Sequence, residues 1–314
     1  MSNRILCPSC NSANISKAST VNANDIVALY KKNDIDTAEL FERIPSVSLL
    51  HCIDCDLKFF NPPVPGNEHF YNQLQNKDWY FLHADKTEFS YSKTFVRDND
   101  KVLDVGSGRG VWSKYIKEVP GTFYQGIEFS SKSIELAKQD GVNVIKESIE
   151  EHAGKLKDHY DIVAAFQVLE HIENVREFFA ACVACTKLGG KLIIAVPNNE
   201  GFLKQMVNNW LNLPPHHINH WNERSLVKLG ELFNLKVIDV HKEKVTPIHK
   251  LLFYNVRISS ALSHSIGYRS RMVDHSLKFK ILNKLSYWLA RIKMPFSKTD
   301  LKSDGHTIII VYEK

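Results

Sequence analysis

The chain has no uninterrupted apolar run of the ~18–20 residues that a helix needs to cross a bilayer. Its first residues, Met1-Ser2-Asn3-Arg4-Ile5-Leu6-Cys7, lack an apolar signal core and a small-residue cleavage site. Both absences set the expectation of a cytoplasmic protein. Glycine (14) and proline (11) are sparse among 314 residues, which excludes collagen-like and low-complexity classes. Nor does one sign of charge dominate: 40 basic residues against 35 acidic leave +5, too little by itself to argue for a polyanionic partner. What is present, 44% hydrophobic and 24% charged residues, suits a folded protein of roughly two domains.

The charge is nonetheless regional. Between positions 248 and 296 nine basic residues face a single acid, Asp274, a local +8 that leaves about −3 for the rest of the chain. Such asymmetry points to an anionic surface or ligand.

Six cysteines form three Cys-x-x-Cys pairs. In a chain without a secretory signal, metal binding explains them better than a disulfide framework. Cys7, Cys10, Cys52 and Cys55 make two knuckles that can close a tetrahedral sulfur shell suited to zinc. Four protein ligands leave no open position, so the expected site is structural. The spacing between knuckles exceeds the usual ~15–20 residues. A helix-like stretch over 25–44, carrying Ile26, Leu29, Tyr30, Leu40, Phe41 and Ile44, accounts for the excess. Cys182 and Cys185 have no companion pair and read as buried packing within a helix over 175–186 that ends at Gly189-Gly190.

Asn61-Pro62-Pro63-Val64-Pro65-Gly66 is turn-rich and reads as a linker. Beyond it, Lys101-Val102-Leu103-Asp104-Val105 reads as a buried strand, Gly106-Ser107-Gly108-Arg109-Gly110 as a turn, and Val111–Ile116 as a helix start. Strand, glycine turn and helix open a doubly wound nucleotide-binding fold. A dinucleotide fingerprint needs glycine at 111, where the chain has valine. With Asp104 ahead of the turn, the ligand expected is one carrying an ammonium and a carboxylate. Glu128, about 20 residues past the glycines at the end of the next strand, suits the hydroxyls of a ribose.

These residues resemble the class I S-adenosylmethionine-dependent methyltransferases. Asp104-x-Gly106-x-Gly108-x-Gly110 matches that family's first motif and Glu128 its ribose-binding acid. Val144–Ile149 is similar to its third strand and adenine loop, Tyr160–Ile172 to its fourth strand and following loop, and Leu188–Pro197 to its fifth. Ile238-Asp239-Val240 and His306–Tyr312 then stand for strands six and seven, the last inserted antiparallel. The resemblance implies an α/β, Rossmann-like seven-stranded sheet with helices on both faces, preceded by a zinc-ribbon module and interrupted by a helical insertion before the last strand. It divides the chain into 1–65, a helical and aromatic lead-in at 66–97, a donor-binding core at 98–240, a basic insertion at 241–304 and a final strand at 305–314. It implies S-adenosylmethionine as cofactor beside structural zinc. The donor would meet Asp104, Gly106, Gly108, Gly110, Glu128, Ser148, Ile149, Gln167 and Glu170, with Tyr80 closing over it alongside Tyr71 and Trp79.

Methyl transfer to a hydroxyl or carbon needs a proton acceptor. His216, His217 and His220 follow two prolines just past the fifth strand, and imidazole titrates near neutrality. His217, supported by His216 or His220, is the expected general base; holding the loop by hydrogen bonds is the competing role. His171, beside Glu170, is expected to position groups near the donor.

The zinc knuckles and Pro214-Pro215-His216-His217 narrow the resemblance to bacterial deoxysugar and surface-glycan methyltransferases, which implies a small-molecule or glycan acceptor. Within the insertion, Leu277, Ile281, Leu285, Trp288, Leu289 and Ile292 share a helix face among lysines and arginines. That segment reads as an active-site cover or homodimer contact, as a surface for anionic membrane at the cytoplasmic side, or as a clamp for an anionic nucleotide-sugar or RNA. Two other readings stay open: an RNA base methyltransferase, or a non-catalytic scaffold on the same fold. Nucleic acid is disfavoured because residues 1–60 carry six basic and seven acidic side chains.

Overall fold

The computed structural model describes residues 4–77, 86–269, 271–297 and 305–314. A small antiparallel sheet comes first, built from β1 (Ile15–Asn22), β2 (Ser46–Cys52) and β3 (Lys58–Asn61). Between its first two strands lies α1 (Ala23–Lys31), which begins where the Asn22 side chain accepts the Asn24 N–H and buries Ile26, Leu29 and Tyr30. A single 3₁₀ turn, Glu39–Phe41, completes the helical insert expected between the knuckles. α2 (Glu68–Gln75) and α3 (Thr87–Lys93) then lead to the central sheet.

That sheet is assembled by repeated strand–helix steps. β4 (Lys101–Val105) leads to α4 (Ser113–Ile116), β5 (Phe123–Glu128) to α5 (Ser131–Gln139), and β6 (Val144–Lys146) to α6 (Ile149–Lys155). β7 (Tyr160–Phe166) follows, then α7 (Val175–Cys185) and β8 (Thr186–Pro197). A two-residue strand β9 (Asn219–His220), α8 (Glu223–Leu232), β10 (Lys236–Lys242), α9 (Lys250–Ser265), α10 (Leu277–Lys293) and β11 (Thr307–Glu313) complete the chain.

The seven strands lie in the order β10-β11-β8-β7-β4-β5-β6, with β11 antiparallel between β8 and β10, as expected for strands six and seven. Side chains alternate between two cores. Leu103, Val105, Val163, Ala165, Leu192 and Ile194 face α7 and α8, while Val102, Ile162, Ala164, Ile193 and Ala195 face α3 and Trp112. A sheet buried on both faces needs continuous apolar strands, and β7, β8 and β11 supply them.

The expected helix end at Gly189-Gly190 is corrected by the structure. α7 stops at Cys185, and the glycine pair lies inside β8 near the register shift between Tyr160 and Ile162 of β7. Gly189 has φ +75°, and a Cβ at Gly190 would meet the Asp161 carbonyl at 2.9 Å, so the bulge needs both glycines. Cys182 and Cys185 are buried in the core as expected.

The small sheet is built into the body of the protein. β9 pairs with β3 through Lys58–His220 and Phe59–Asn219, and Cys7, Leu50, Cys52, Cys55, Leu57 and Phe59 share a core with Leu169 and Trp221. Residues 61–66, read as a linker, thus run beside a joint fastened from both sides. The basic insertion folds as α9 packed on α10, with Phe279, Ser286 and Ala290 of α10 turned inward.

Candidate active site

β4 and β5 run parallel, with Asp104 opposite Gly126, so the turn after β4 meets the end of β5. Gly106, Gly108 and Gly110 all have positive φ, at +68°, +56° and +72°. The first and third are packed: a Cβ on Gly106 would lie 2.6 Å from Val168 Cγ2, and one on Gly110 2.5 Å from Val142 Cγ1. Gly108 meets nothing within 4 Å and opens onto the crevice. Its N–H donates to Glu128 Oε2 at 2.9 Å, while Phe129 and Ser130 N–H donate to Oε1. The carboxylate is thereby held at the mouth of the turn, where the resemblance requires it.

Asp104 lies on the same side, close enough for Glu128 to act on its charge. Burial is the main cause of a carboxyl raised to about 7, and the Tyr124 hydroxyl donates to it at 2.7 Å. Ser148 caps α6 through the Glu151 N–H, and Ile149 packs into the core. Gln167, at φ +57°, donates its backbone N–H to Ala195 O and its side-chain amide toward Glu88. Trp79 and Tyr80 lie outside the described residues. Tyr71 stands edge-on to the His171 ring, with centroids 6.0 Å apart.

Beyond the donor crevice the expected histidines separate. His216 and His217 stack with ring centroids 4.4 Å apart, and His171 joins them at 4.7 and 5.0 Å. His220 is not in this group: its Nε2 bonds to the Asn212 carbonyl, and its ring lies edge-on to Phe60. Burial lowers all four, His216 to about 3, His171 and His220 to about 4, and His217 well below the usual value. They are therefore neutral at physiological pH. Glu170 is fully buried, raised to about 8 chiefly by burial, and points one oxygen at His171 and His217 from 3.8 and 3.9 Å.

The histidine loop is held from two directions. Ile218 N–H donates to Glu170 O, tying the loop to the end of β7. Tyr30 of α1 donates its hydroxyl to Leu213 O, and β9 continues the small sheet. Asn212 connects the parts, accepting from His217 Nδ1 and donating to Asn199 beyond β8. Asn199 and Asn212 escaped the sequence reading, since no motif or periodicity marks them, and Tyr30 reads there only as part of the helical insert. A cavity of about 330 Å³ lies beside Asn212, lined by Lys58, Lys204, Arg271, His220, Asn199 and Met206 and, among the described residues, by no acid.

At the amino-terminal end Cys7 and Cys55 Sγ, and Cys10 and Cys52 Sγ, are 3.5 Å apart, and all four lie within 4.8 Å of one another. A tetrahedral zinc with bonds of ~2.3 Å spaces its sulfurs by ~3.8 Å, so the donor set fits.

A family model described as a methyltransferase domain matches residues 79–240. The ubiquinone biosynthesis O-methyltransferases of Klebsiella pneumoniae (strain 342) and Escherichia coli O127:H6 are each 31% identical over 107 residues, 32% of this chain and 44% of theirs. The chain therefore spans less than half the length of these curated relatives. Among solved structures, Haemonchus contortus phosphoethanolamine N-methyltransferase 2 with S-adenosyl-L-methionine aligns with TM-score 0.51 and 16% identity, over 79% of this chain and 58% of that one. A Thermotoga maritima S-adenosylmethionine-dependent methyltransferase, described as a possible histamine N-methyltransferase, gives 0.50 and 17%, over 79% and 97%. At these identities the two structures show the shared fold alone.

Proposed function

Because the chain belongs to the methyltransferase-domain family, we propose that it transfers a methyl group from S-adenosylmethionine to a small-molecule or glycan-type acceptor. The observation that carries this reading is the crevice at Gly108, open where Gly106 and Gly110 are packed, with Glu128 pinned to its rim. Glu128 takes the ribose hydroxyls, and the Gly106–Gly110 bend admits the amino-acid end close to backbone. The donor supplies an electrophilic methyl on a sulfonium. The protein's part is to align the acceptor, exclude water and receive a proton.

The neutral histidine cluster is the proton-accepting wall, with His217 the expected base. The cavity beside Asn212 shares that residue with the histidine loop but is lined by no residue of the donor crevice, so it is assigned to the far end of the acceptor; Lys58, Lys204 and Arg271 there favour a phosphate or carboxylate, as a nucleotide-linked or lipid-linked sugar bears. Calorimetry with S-adenosylmethionine followed by turnover on such sugars tests the reading. Donor binding without turnover on any anionic acceptor leaves the scaffold alternative in its place.

Cys7, Cys10, Cys52 and Cys55 would hold a zinc ion that cross-links both knuckles as a structural tie. β2 ends at Cys52 and β3 starts three residues after Cys55, so this tie also sets the sheet that carries β9 and the histidine loop.

No helix among the described residues is long and apolar enough to cross a membrane. α10 instead presents its apolar stripe to solvent: Leu277, Ile281, Leu285, Trp288, Leu289 and Ile292 are exposed, as is Phe296 beyond it at 87%. Lys278, Lys280, Lys284, Arg291 and Lys293 are exposed beside them, and the helix has no acid. That charge selects an anionic bilayer surface as occupant. Flotation with vesicles containing acidic lipid should carry the protein upward, and Trp288→Asp with Leu285→Asp should abolish this. Equal flotation with neutral vesicles, or a dimer that buries the stripe, overturns it.

A further inference from the structure

We infer that His171, His216 and His217, with Glu170 beside two of them, form a second metal site, for a borderline divalent cation such as zinc, cobalt or iron. The inference uses the reading above only to place the acceptor nearby.

Each imidazole is oriented as a ligand. His171 Nδ1 donates to His216 O, His216 Nδ1 to Leu211 O at 2.9 Å, and His217 Nδ1 to Asn212 Oδ1 at 2.9 Å. Carbonyl oxygens accept only, so all three rings carry their proton on Nδ1 and turn an unprotonated Nε2 elsewhere. Fixing the tautomer through a carbonyl is how proteins orient metal-ligating histidines. The three rings each bring a nitrogen within 4.8 Å of the others.

Glu170 supplies the independent observation. It is fully buried, and neither carboxylate oxygen has a hydrogen-bond partner among the described residues. A buried carboxylate left unpaired is costly unless a cation or donor meets it. Its Oε1 is 3.8 Å from His171 Nε2 and 3.9 Å from His217 Nε2, too far for a hydrogen bond. A shared ion with bonds of ~2.1 Å would bring such atoms to ~3.0–3.4 Å, a closure of about half an ångström. Mixed imidazole and carboxylate donors favour these borderline ions, in contrast to the soft thiolates at the knuckles.

The chemistry follows from the place. His171 is part-exposed, so an ion there can keep a position for an acceptor oxygen and raise its acidity. With an ion bound, His217 would be a ligand instead of the base, and the proton of an acceptor oxygen on the ion would pass to solvent; His217 is the base only in the metal-free protein.

The test is cobalt(II) loading of the full chain after chelation, under reducing conditions, read by metal per chain and visible absorption. Two equivalents are expected. One shows thiolate-to-cobalt charge transfer from the cysteines, and the other shows only weak ligand-field bands. His171→Ala and the near-isosteric Glu170→Gln should each bind the second equivalent at least tenfold more weakly, with the cysteine charge transfer retained. His220→Gln should keep both equivalents. A single equivalent in the unaltered protein, or two retained at full affinity in His171→Ala, overturns the site. Because loading is read without donor or acceptor, a failure to methylate leaves this result interpretable, and methylation with one equivalent sinks the metal site alone.

Discussion

The donor crevice and the histidine pocket lie along the same edge of the central sheet, where β4, β5, β7 and β8 end, yet they are assembled in opposite ways. The crevice comes from one stretch of chain: a strand, a three-glycine turn and an acid about 20 residues later. The pocket draws on α1, the loop after β7, the loop after β8 and a two-residue strand added to a different sheet. The first needs backbone conformation, which glycine spacing encodes locally. The second needs side chains from distant segments held by Tyr30, Asn212 and Glu170. Damage to the crevice should thus stay within donor binding, and damage to the pocket should spare it.

The cysteine knuckles are where that separation should fail, because they brace the pocket through the small sheet. Cys52→Ser is expected to have the largest effect: loss of bound zinc and several kcal/mol of stability. Turnover should fall further than donor affinity. Metal analysis, thermal unfolding and donor titration check this together.

Gly106→Ala comes next. The residue would keep φ near +68° with a Cβ 2.6 Å from Val168 Cγ2, costing ~1–3 kcal/mol of strain or displacing the turn. Donor affinity should drop by roughly 10- to 100-fold, read by calorimetry, while metal content stays unchanged. His217→Gln is the mirror case: donor affinity unchanged and turnover reduced about tenfold or more, as general-base effects commonly run ~10²–10⁴-fold. Loss of donor affinity in His217→Gln would dissolve the distinction between the two regions.

A smaller effect is expected in the acid limb of stability. His220 has a folded pKa of about 4 against an unfolded value near 6.5, so between those values the unfolded chain binds the extra proton. Its contribution is complete above about pH 6.5 and is lost as pH falls toward 4. Glu170 and Asp104, raised by burial, act in the opposite sense, so the difference between variant and parent is what counts. His220→Gln should flatten the denaturation profile there by up to one proton, ~1.4 kcal/mol per pH unit.

Legibility in the sequence follows the same division. The glycine turn, Glu128 and the four clustered cysteines were readable from spacing, whereas the assignment of the seven strands, with the last one antiparallel, was implied by the family resemblance. His216 and His217 were readable as candidates, but their union with His171 was not, since 45 residues separate His171 from His216 and only the fold closes that gap. β9 is too short for any alternation to show. The stripe on α10 was visible as periodicity, but periodicity does not say which face packs: α10 rests on α9 through Phe279, Ser286 and Ala290 and leaves its bulkiest residues outside. The helix end at Gly189-Gly190 misled because glycine serves a strand bulge as readily as a helix stop.

The central claim is that Glu128 and the bend at Gly108 grip an adenosyl amino acid. Titrating S-adenosylhomocysteine into the intact protein and into Glu128→Ala tests it most directly. A single saturable site, weakened at least tenfold by the substitution, is the predicted result; no heat in the intact protein, or the same affinity in both, would contradict it.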